Sequence, residues 1–397
     1  MGETTAAGHA RAMAVALRPV LDTRIAISSP VDLSTSPPAE ADWAASGGRA
    51  LTGFQDGPPL EVRGHPAAAA RAGLAWLSSF GPGATVPGVE LLGERASVIH
   101  LTRNAPFSCG GAMQILPCTD GHIAVSLARP SDHDVVPAIV QSQTTTDSWT
   151  SLRRWAAALS ANDAADRCQL LGVPASPVGA PAAGPSRPWL VATRGGARRA
   201  RGGPLVVVDL TSLWAGPLCA RLLRGLGAQV TKVESASRPD GSRSGHPEFF
   251  ERMNSGSTQI ALDFDSRAGR VRLLELLRDA DVVLEGSRPR ALRQLGVRAE
   301  EMVSSGTIWL SITARGRDSD WVGFGDDVAA GAGLLAEASD PLPAGDALAD
   351  PLAGIHAAVA VAAAWGTPHG WLLDLSMHDT ARLCVEPPRI YELSGDR

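Results

Sequence analysis

Lysine is almost absent from this sequence: Lys232 is the only one, and arginine carries the remaining basic charge. Lys and Arg together number 36 against 41 Asp and Glu, a net charge of −5. This balance predicts no nucleic-acid partner and no attraction to an anionic membrane. The five cysteines show neither a CxxC pair nor a paired histidine spacing. Their scatter argues against a zinc site and a disulfide framework, so we expect no metal and a reducing, cytoplasmic location.

Long apolar runs at the N-terminus are also lacking. His9, Arg11 and Arg18 interrupt the first segment before an adequate apolar core forms. We therefore expect neither a signal peptide nor a membrane-spanning helix. The 397 residues are 44% hydrophobic and 19% charged, which is typical of a globular chain with two or three domains.

The commonest nucleotide and hydrolase motifs are missing as well. From Pro204 the sequence alternates between strand and helix patterns, beginning with the buried strand LVVVDL (205–210). Such alternation predicts an α/β fold with a parallel, Rossmann-like sheet, which binds ligands beyond the carboxyl ends of its strands. No GxGxxG follows the first strand, which makes an NAD-dependent oxidoreductase a distant alternative. P-loop, GxSxG and HExxH motifs are absent too.

One aspartate stands before an unusually apolar stretch, ADPLAGIHAAVAVAAAWG (349–366). An Asp-Pro pair before such a run predicts a helix with Asp350 as N-cap and Pro351 as the first helical residue. The small side chains permit close approach by another backbone, and the helix is too apolar for the surface. Asp350 is then either an ordinary cap of a buried helix or a nucleophilic carboxylate at the positive helix end. Spacing alone does not separate these interpretations.

An internal repeat includes this stretch. Residues 42–81 align without gaps on residues 327–366 at an offset of 285, with ten matched positions. The pattern indicates a duplication, although alanine-rich sequence produces some chance identities. His65-Pro66 occupies the place of Asp350-Pro351. If the copies share ancestry, only the second retains a carboxylate at that position.

Several ordered motifs resemble one known family. They are VVVDLTSLWAGPLCARLLRGLGAQVTKVE, PDGSR, the segment from FFERMNSGST to LRQLGV, IWLSITARG, LADPLAGIHAA and WLLDLSMHDTA, in that order from about Pro204 to Asp379. Together they resemble the class III CoA-transferases, the CaiB/BaiF group of formyl-CoA transferase-like and carnitine dehydratase-like proteins. FQDGPP (54–59) and APFSCGGAMQILPCTDGHIAV (105–125) resemble family pieces that normally follow the Rossmann-like part. Here they precede it, so the chain has an apparently permuted order.

The resemblance implies a Rossmann-like sheet domain plus a smaller α/β domain. The predicted segments are an N-terminal extension (1–40), a degenerate copy of the helical connecting segment (41–100), a small α/β domain (101–171), a Pro/Gly/Ala-rich linker (172–203), a Rossmann-like CoA-binding domain (204–320) and a segment with the candidate catalytic aspartate and its helices (321–397).

The resemblance also implies roles for individual residues. Asp350 takes the place of the family's nucleophile. The CoA-contacting residues implied are Ser212, Leu213, Trp214, Ala215, Arg243 and Leu262. Basic residues usual in the family are missing from Asn254–Thr258, and Gly286-Ser287 replaces the usual Asn-Phe. These departures favour weaker or differently built nucleotide binding.

The implied function is CoA transfer between an acyl-CoA thioester and a carboxylic acid through an aspartyl anhydride and an enzyme–CoA thioester. CoA and acyl-CoA are then substrates, no cofactor is bound permanently, and a homodimer is expected by analogy. Two alternatives stay open. An acyl-CoA racemase of the same family needs an imidazole where this chain has Gly325-Asp326-Asp327, with His356 or His378 as substitutes. A non-catalytic CoA-binding member is the other.

Overall fold

The computed structural model describes residues 5–21, 33–81, 85–142, 147–179, 187–198, 202–287 and 289–385. Helices dominate the first part of the chain and surround a small sheet. The elements of this part are α1 (Thr5–Leu17), α2 (Ala39–Ala45), α3 (Pro66–Phe80), α4 (Glu94–Val98), β1 (Met113–Pro117), β2 (His122–Ser126), α5 (Pro130–Ile139), α6 (Ser148–Ala156), α7 (Ala161–Leu170), β3 (Ala175–Pro177) and β4 (Leu190–Ala197).

Strands and helices alternate in the second part, as the sequence predicts. The elements there are β5 (Val206–Asp209), α8 (Ala215–Gly225), β6 (Gln229–Ser235), α9 (Ser242–Gly245), α10 (Pro247–Asn254), β7 (Thr258–Leu262), α11 (Arg267–Asp279), β8 (Val282–Glu285), α12 (Pro289–Gln294), α13 (Ala299–Ser304), β9 (Ile308–Thr313), α14 (Gly325–Ala332), α15 (Ala349–Trp365), β10 (His369–Ser376) and α16 (Met377–Val385).

Seven strands form the large sheet in the order β4-β10-β9-β8-β5-β6-β7. All neighbours are parallel except β4, which runs antiparallel to β10 at the edge. The chain runs outward from β5 through β6 to β7, then returns to β8 on the other side of β5. This reversal of strand order is the point where open α/β sheets bind ligands. The α/β fold class with a Rossmann-like sheet is therefore confirmed.

The smaller unit is an antiparallel sheet in the order β1-β2-β3, covered by α5, α6 and α7. Its second face packs on α14, so the two sheets meet through that helix. The predicted linker over residues 172–203 contains β3 and β4, which its composition does not indicate. The strand β4 forms because β10 supplies a hydrogen-bonding partner distant in sequence.

The helix α15 lies at the centre of the main hydrophobic core, with fifteen of its residues buried. A Cβ on Gly354 would lie 2.6 Å from the Ala215 carbonyl oxygen, and one on Gly73 would lie 2.5 Å from Ile355 Cγ2. The small residues thus let α8 and α3 approach α15 closely, as predicted. The helix begins at Ala349 and its N-cap is Leu348, so the N-cap assignment of Asp350 is corrected: this residue lies in the first turn.

At the offset of 285, helices α2 and α3 correspond to α14 and α15. Beyond the aligned residues, β10 follows α15 without a counterpart among the described residues after α3. The equivalent helices α3 and α15 pack against each other in one core. Each begins beside the residues compared in the sequence, with His65 as the N-cap of α3 and Asp350 in the first turn of α15. The likeness of the two copies is thus limited to this pair of helices, and the duplication stays a prediction.

Candidate active site

A cavity of about 310 Å³ opens beyond the carboxyl ends of β5, β8 and β9. Its walls come from the turn after β5, the short connection after β8, the end of β9, the loop before α14 and the start of α15. The first two of these segments flank the reversal in strand order. The lining residues are mainly apolar or hydroxylated, and the charged ones are Asp350 and Arg129.

Asp350 is partly exposed at the wall of this cavity, in the first turn of α15. The Gly325 N–H donates a hydrogen bond to its carboxylate. Burial raises the pKa of Asp350 to about 7, and the nearby carboxylates of Asp326 and Asp346 act in the same direction. The guanidinium of Arg95 opposes the rise. The carboxyl group therefore titrates near neutrality and faces a ligand-sized space.

Two further carboxylates border Asp350. Asp326 accepts a hydrogen bond from the Ala347 N–H at 2.9 Å, and burial raises its pKa to about 6. Asp346 is fully buried and accepts a hydrogen bond from Arg95 Nε at 2.9 Å, with a second guanidinium nitrogen also in contact. Although Arg95 is itself buried, Asp346 raises its pKa above the usual value. These four residues, Arg95, Asp326, Asp346 and Asp350, are called the carboxylate cluster below.

A buried polar network shapes the turn after β5. Lys232 is fully buried, and its Nζ donates to the Thr211 carbonyl oxygen at 2.9 Å and lies 3.1 Å from Asp240 Oδ2. Asp240 accepts the Leu213 N–H at 3.1 Å, and Asp209 accepts the Thr211 N–H at 2.8 Å. Leu213 adopts φ +69°, a conformation costly for a non-glycine residue. The network holds this strained turn at the cavity wall.

The structure brings together four of the residues implied by the resemblance. Ser212, Leu213 and Ala215 line the same cavity as Asp350. Trp214 lies beneath the turn, is only 2% exposed and packs edge-to-face on Phe249 at 5.4 Å between ring centroids. It therefore supports the wall without lining it.

The structure places Arg243 and Leu262 away from the cavity lining. Arg243 pairs with Glu234 at 2.6 Å and stacks on the Phe250 ring at 4.0 Å from its centroid. Leu262 ends β7, the edge strand farthest from β4. The Arg243 guanidinium and the Leu262 side chain therefore lie on the β6–β7 side of the sheet.

Some lining residues carry no sequence signal. Arg129 reaches the cavity from the start of α5, and its guanidinium lies 5.7 Å from the Phe324 ring centroid. Trp321 and Phe324 line the opposite wall from the loop before α14. Arg129 follows a predicted strand of the small unit, and only the contact between the two sheets shows that it faces the site.

The histidines considered as substitutes for an acid–base imidazole lie elsewhere. His356 is fully buried within α15, where its Nδ1 bonds to the Leu352 carbonyl oxygen, and burial lowers its pKa to about 4. His378 is buried in α16, and burial lowers its pKa too. None of the described residues that line the cavity is a histidine.

Two negative findings apply to the described part of the chain. No group of three or more His, Cys, Asp or Glu side chains is arranged to hold a metal ion. No helix there has both the length and the apolar character needed to cross a membrane.

Comparison with known proteins agrees with the geometry of the second half of the chain. Residues 204–396 match the model of CoA-transferase family III. An acyl-CoA transferase of Fusarium pseudograminearum is 30% identical over 179 residues, which are 38% of this chain and 39% of that protein. The acetyl-CoA:oxalate CoA-transferase of Acetobacter aceti is 34% identical over 104 residues, 25% of this chain and 27% of the relative.

The succinyl-CoA:glutarate CoA-transferase of Mus musculus is 29% identical over 211 residues, 48% of each chain. Among solved structures, a CaiB/BaiF family protein from Brucella suis has a TM-score of 0.44 and 26% identity, covering 48% of this chain and 57% of that one. The chain spans about half the length, or less, of these curated relatives. Residues 204–396 of this chain are thus similar to CoA-transferase family III, whose model they match.

Proposed function

We propose that this protein transfers CoA from an acyl-CoA thioester to a carboxylic acid, with Asp350 as the nucleophile. The observation that carries the proposal is the position of Asp350: its carboxyl group lines a cavity at the strand-order reversal, beside the turn 211–216 that resembles the family's CoA-contacting segment. The match of residues 204–396 to the CoA-transferase family III model supports the same reaction class.

The reaction begins when the Asp350 carboxylate attacks the thioester carbonyl carbon, forming a mixed anhydride and releasing CoA thiolate. The thiolate then attacks the aspartyl carbonyl, which yields an enzyme–CoA thioester and the free donor acid. The acceptor carboxylate repeats both steps in reverse order, and Asp350 is regenerated. Each intermediate is about as activated as a thioester, so one carboxylate divides the exchange into accessible steps.

The surroundings of Asp350 suit this role. Its raised pKa, about 7, leaves a large ionised fraction at neutral pH, while burial keeps the carboxylate weakly solvated and reactive. The Gly325 N–H, bonded to the carboxylate in the resting state, fixes its orientation. The positive end of α15 favours the ionised form.

Transfer is supported over racemisation within the same family. Moving an α-proton requires an acid–base group opposite Asp350, and the described cavity lining contains no imidazole. Asp326 stands where the resemblance expects one, but its carboxylate is hydrogen-bonded to the Ala347 N–H.

The substrate class is narrowed by the cavity and by the relatives. Arg129 places a guanidinium in the lining, paired on one side with Asp132. The two transferases named above for their acids act on oxalate and glutarate. We therefore propose short acids with a second carboxylate as acceptors. Acetyl-CoA and succinyl-CoA, each paired with oxalate, succinate or glutarate, form the first test panel.

The decisive experiment measures exchange of isotopically labelled CoA into acyl-CoA for the parent, Asp350→Asn and the exposed control Asp56→Asn. We expect exchange in the parent and the control, and its loss in Asp350→Asn. Mass spectrometry of the parent should find CoA attached as a thioester to the peptide containing Asp350. Exchange that survives Asp350→Asn would rule out the nucleophile. Absence of exchange with measurable CoA binding in the parent would favour the non-catalytic alternative.

A further inference from the structure

Arg95 joins parts of the site that are far apart in sequence. It lies in α4, within the predicted degenerate copy (41–100), and binds Asp346 just before α15 through two guanidinium nitrogens. Its guanidinium also lies 5.5 Å from the ring centroid of Trp214, beneath the strained turn. Arg95 thus contacts Asp346, which precedes the helix of the candidate nucleophile. It also contacts Trp214, which packs beneath the candidate CoA-contacting turn.

The carboxylate cluster gathers three acids around one guanidinium. The charged groups acting on Asp350 are Asp326 of α14, Asp346 of the preceding loop and Arg95 of α4. His246 at the start of α10 and the thiol of Cys109 also face Arg95 and Asp346. Burial and the Arg95 charge lower the pKa of His246, and burial raises that of Cys109, so both favour their neutral forms. Among the groups acting on Asp350, the stabilising cation is Arg95.

The duplication shows where each charge originates. At the offset of 285, His65 of the first copy takes the place of Asp350 in the second. Arg95 follows the aligned residues 42–81, within the predicted degenerate copy (41–100). The segment that lacks the carboxylate therefore contributes a cation.

We propose that Arg95 is a positioning residue for Asp350: anchored by Asp346 and seated against Trp214, it supplies from the first copy the positive charge that balances the carboxylates of the second. The inference rests on the proposed function only for the role of Asp350 in catalysis. The inference gives the degenerate copy a role at the site, because one chain then supplies both the Arg95 cation and the Asp350 carboxylate.

The first test follows protonation of Asp350 without relying on turnover. A water-soluble carbodiimide activates protonated carboxyl groups, so the pH dependence of amidation by glycine ethyl ester reports protonation. Amidation at Asp350 is read by peptide mass spectrometry. Removing a close opposite charge typically moves a carboxyl midpoint upward by about 1 to 3 pH units. We expect such an upward shift in Arg95→Met and recovery of most of it in Arg95→Lys.

The matched control is Arg221→Met. Arg221 is similarly buried, with its side chain 15% exposed against 19% for Arg95, and it pairs with Glu94 outside the carboxylate cluster. A general loosening of the fold would shift both methionine variants, whereas the proposed charge effect shifts Arg95→Met alone. Equal midpoints in Arg95→Met and the parent would overturn the inference.

A second variant, for which the expected shift of the Asp350 midpoint has the opposite direction, tests the inference if Arg95→Met does not fold. Asp346→Asn removes a repelling negative charge and keeps an amide oxygen that can accept the hydrogen bond from Arg95 Nε. The Asp350 midpoint should therefore move downward; an unchanged or higher midpoint would overturn the inference. In the CoA exchange assay, the acid limb of the pH–rate profile should follow the same directions. If the parent lacks exchange, the proposed function fails while the amidation midpoints still decide the role of Arg95.

Discussion

Replacing Asp350 by asparagine should make the protein more stable in alkaline solution. In the folded state the pKa of this carboxyl rises from its usual 3.8 to about 7, mainly because the group is buried. Above pH 7 the folded protein must hold an ionised carboxylate that water would solvate better, and this costs stability. Asparagine keeps the side-chain volume and an oxygen able to accept the Gly325 N–H, but it carries no charge.

The size of the effect follows from the shift. A shift from 3.8 to about 7 corresponds to at most about 4 kcal/mol at roughly 1.4 kcal/mol per unit. Cavity water reaches the partly exposed side chain, so we expect about 2–4 kcal/mol above pH 7. As pH falls through 7 the folded state takes up the proton, and the difference in stability between the two proteins narrows. It becomes small near pH 4 and vanishes below the unfolded-state pKa of 3.8, where the carboxyl is protonated in both states.

Guanidinium titrations of the parent and Asp350→Asn at half-unit steps between pH 4 and 9 would measure this difference. The exposed Asp56→Asn serves as the reference for removing one negative charge. A gap that stays constant across the range would mean that the substitution acts through packing. A parent more stable than Asp350→Asn at pH 8 would refute the reasoning, because the ionised carboxylate would then be stabilised by its surroundings.

Three further predictions follow from other parts of the molecule. Lys232→Met breaks a buried ion pair and should lower the free energy of unfolding by about 3–5 kcal/mol, with weakened CoA binding by calorimetry; unaltered binding would show that the turn does not need the network. Gly354→Ala should destabilise the protein by about 1–3 kcal/mol because the new Cβ would meet the Ala215 carbonyl oxygen. Gly8→Ala is the control: no atom lies within 4 Å of its Cβ position, so it should stabilise α1 slightly. Equal melting temperatures of the two variants would contradict the close approach of α8 to α15. Burial lowers the pKa of His9 to about 3, so below pH 6.5 the unfolded state binds a proton that the folded state does not, and the folded protein loses stability. Relative to the parent, His9→Leu should therefore be more stable at pH 5 than at pH 8, by up to about 2 kcal/mol. Urea titrations at the two pH values would measure this difference.

The parallel strands of the second half could be predicted from the sequence because their signals are local. Runs such as Val206–Asp209 and Ile308–Thr313 are short, apolar and buried on both faces, and the helices between them are amphipathic. The nucleophile candidate was equally visible, since an Asp-Pro pair before a run of small residues marks a helix start. Its neighbours in the turn 212–215 were placed by the resemblance, and three of those four line the cavity.

Features that depend on contacts distant in sequence could not be predicted. The strand β4 has no apolar alternation, and only pairing with β10 defines it. The partners of Arg243 are near it in sequence, but its motif alone does not show that Glu234 and Phe250 engage its guanidinium. Arg95 has no sequence signal at all, because its importance arises from Asp346, which lies 251 residues away.

The lone lysine gives the folded protein an unusual chemical property. Since Lys232 is completely covered, the native chain offers no side-chain amine to acylating reagents or to a lysine-specific protease. Cleavage after that residue requires the sheet to open around β6. The rate of this single cut, which yields fragments of 232 and 165 residues, therefore reports how often the sheet opens and needs no introduced label.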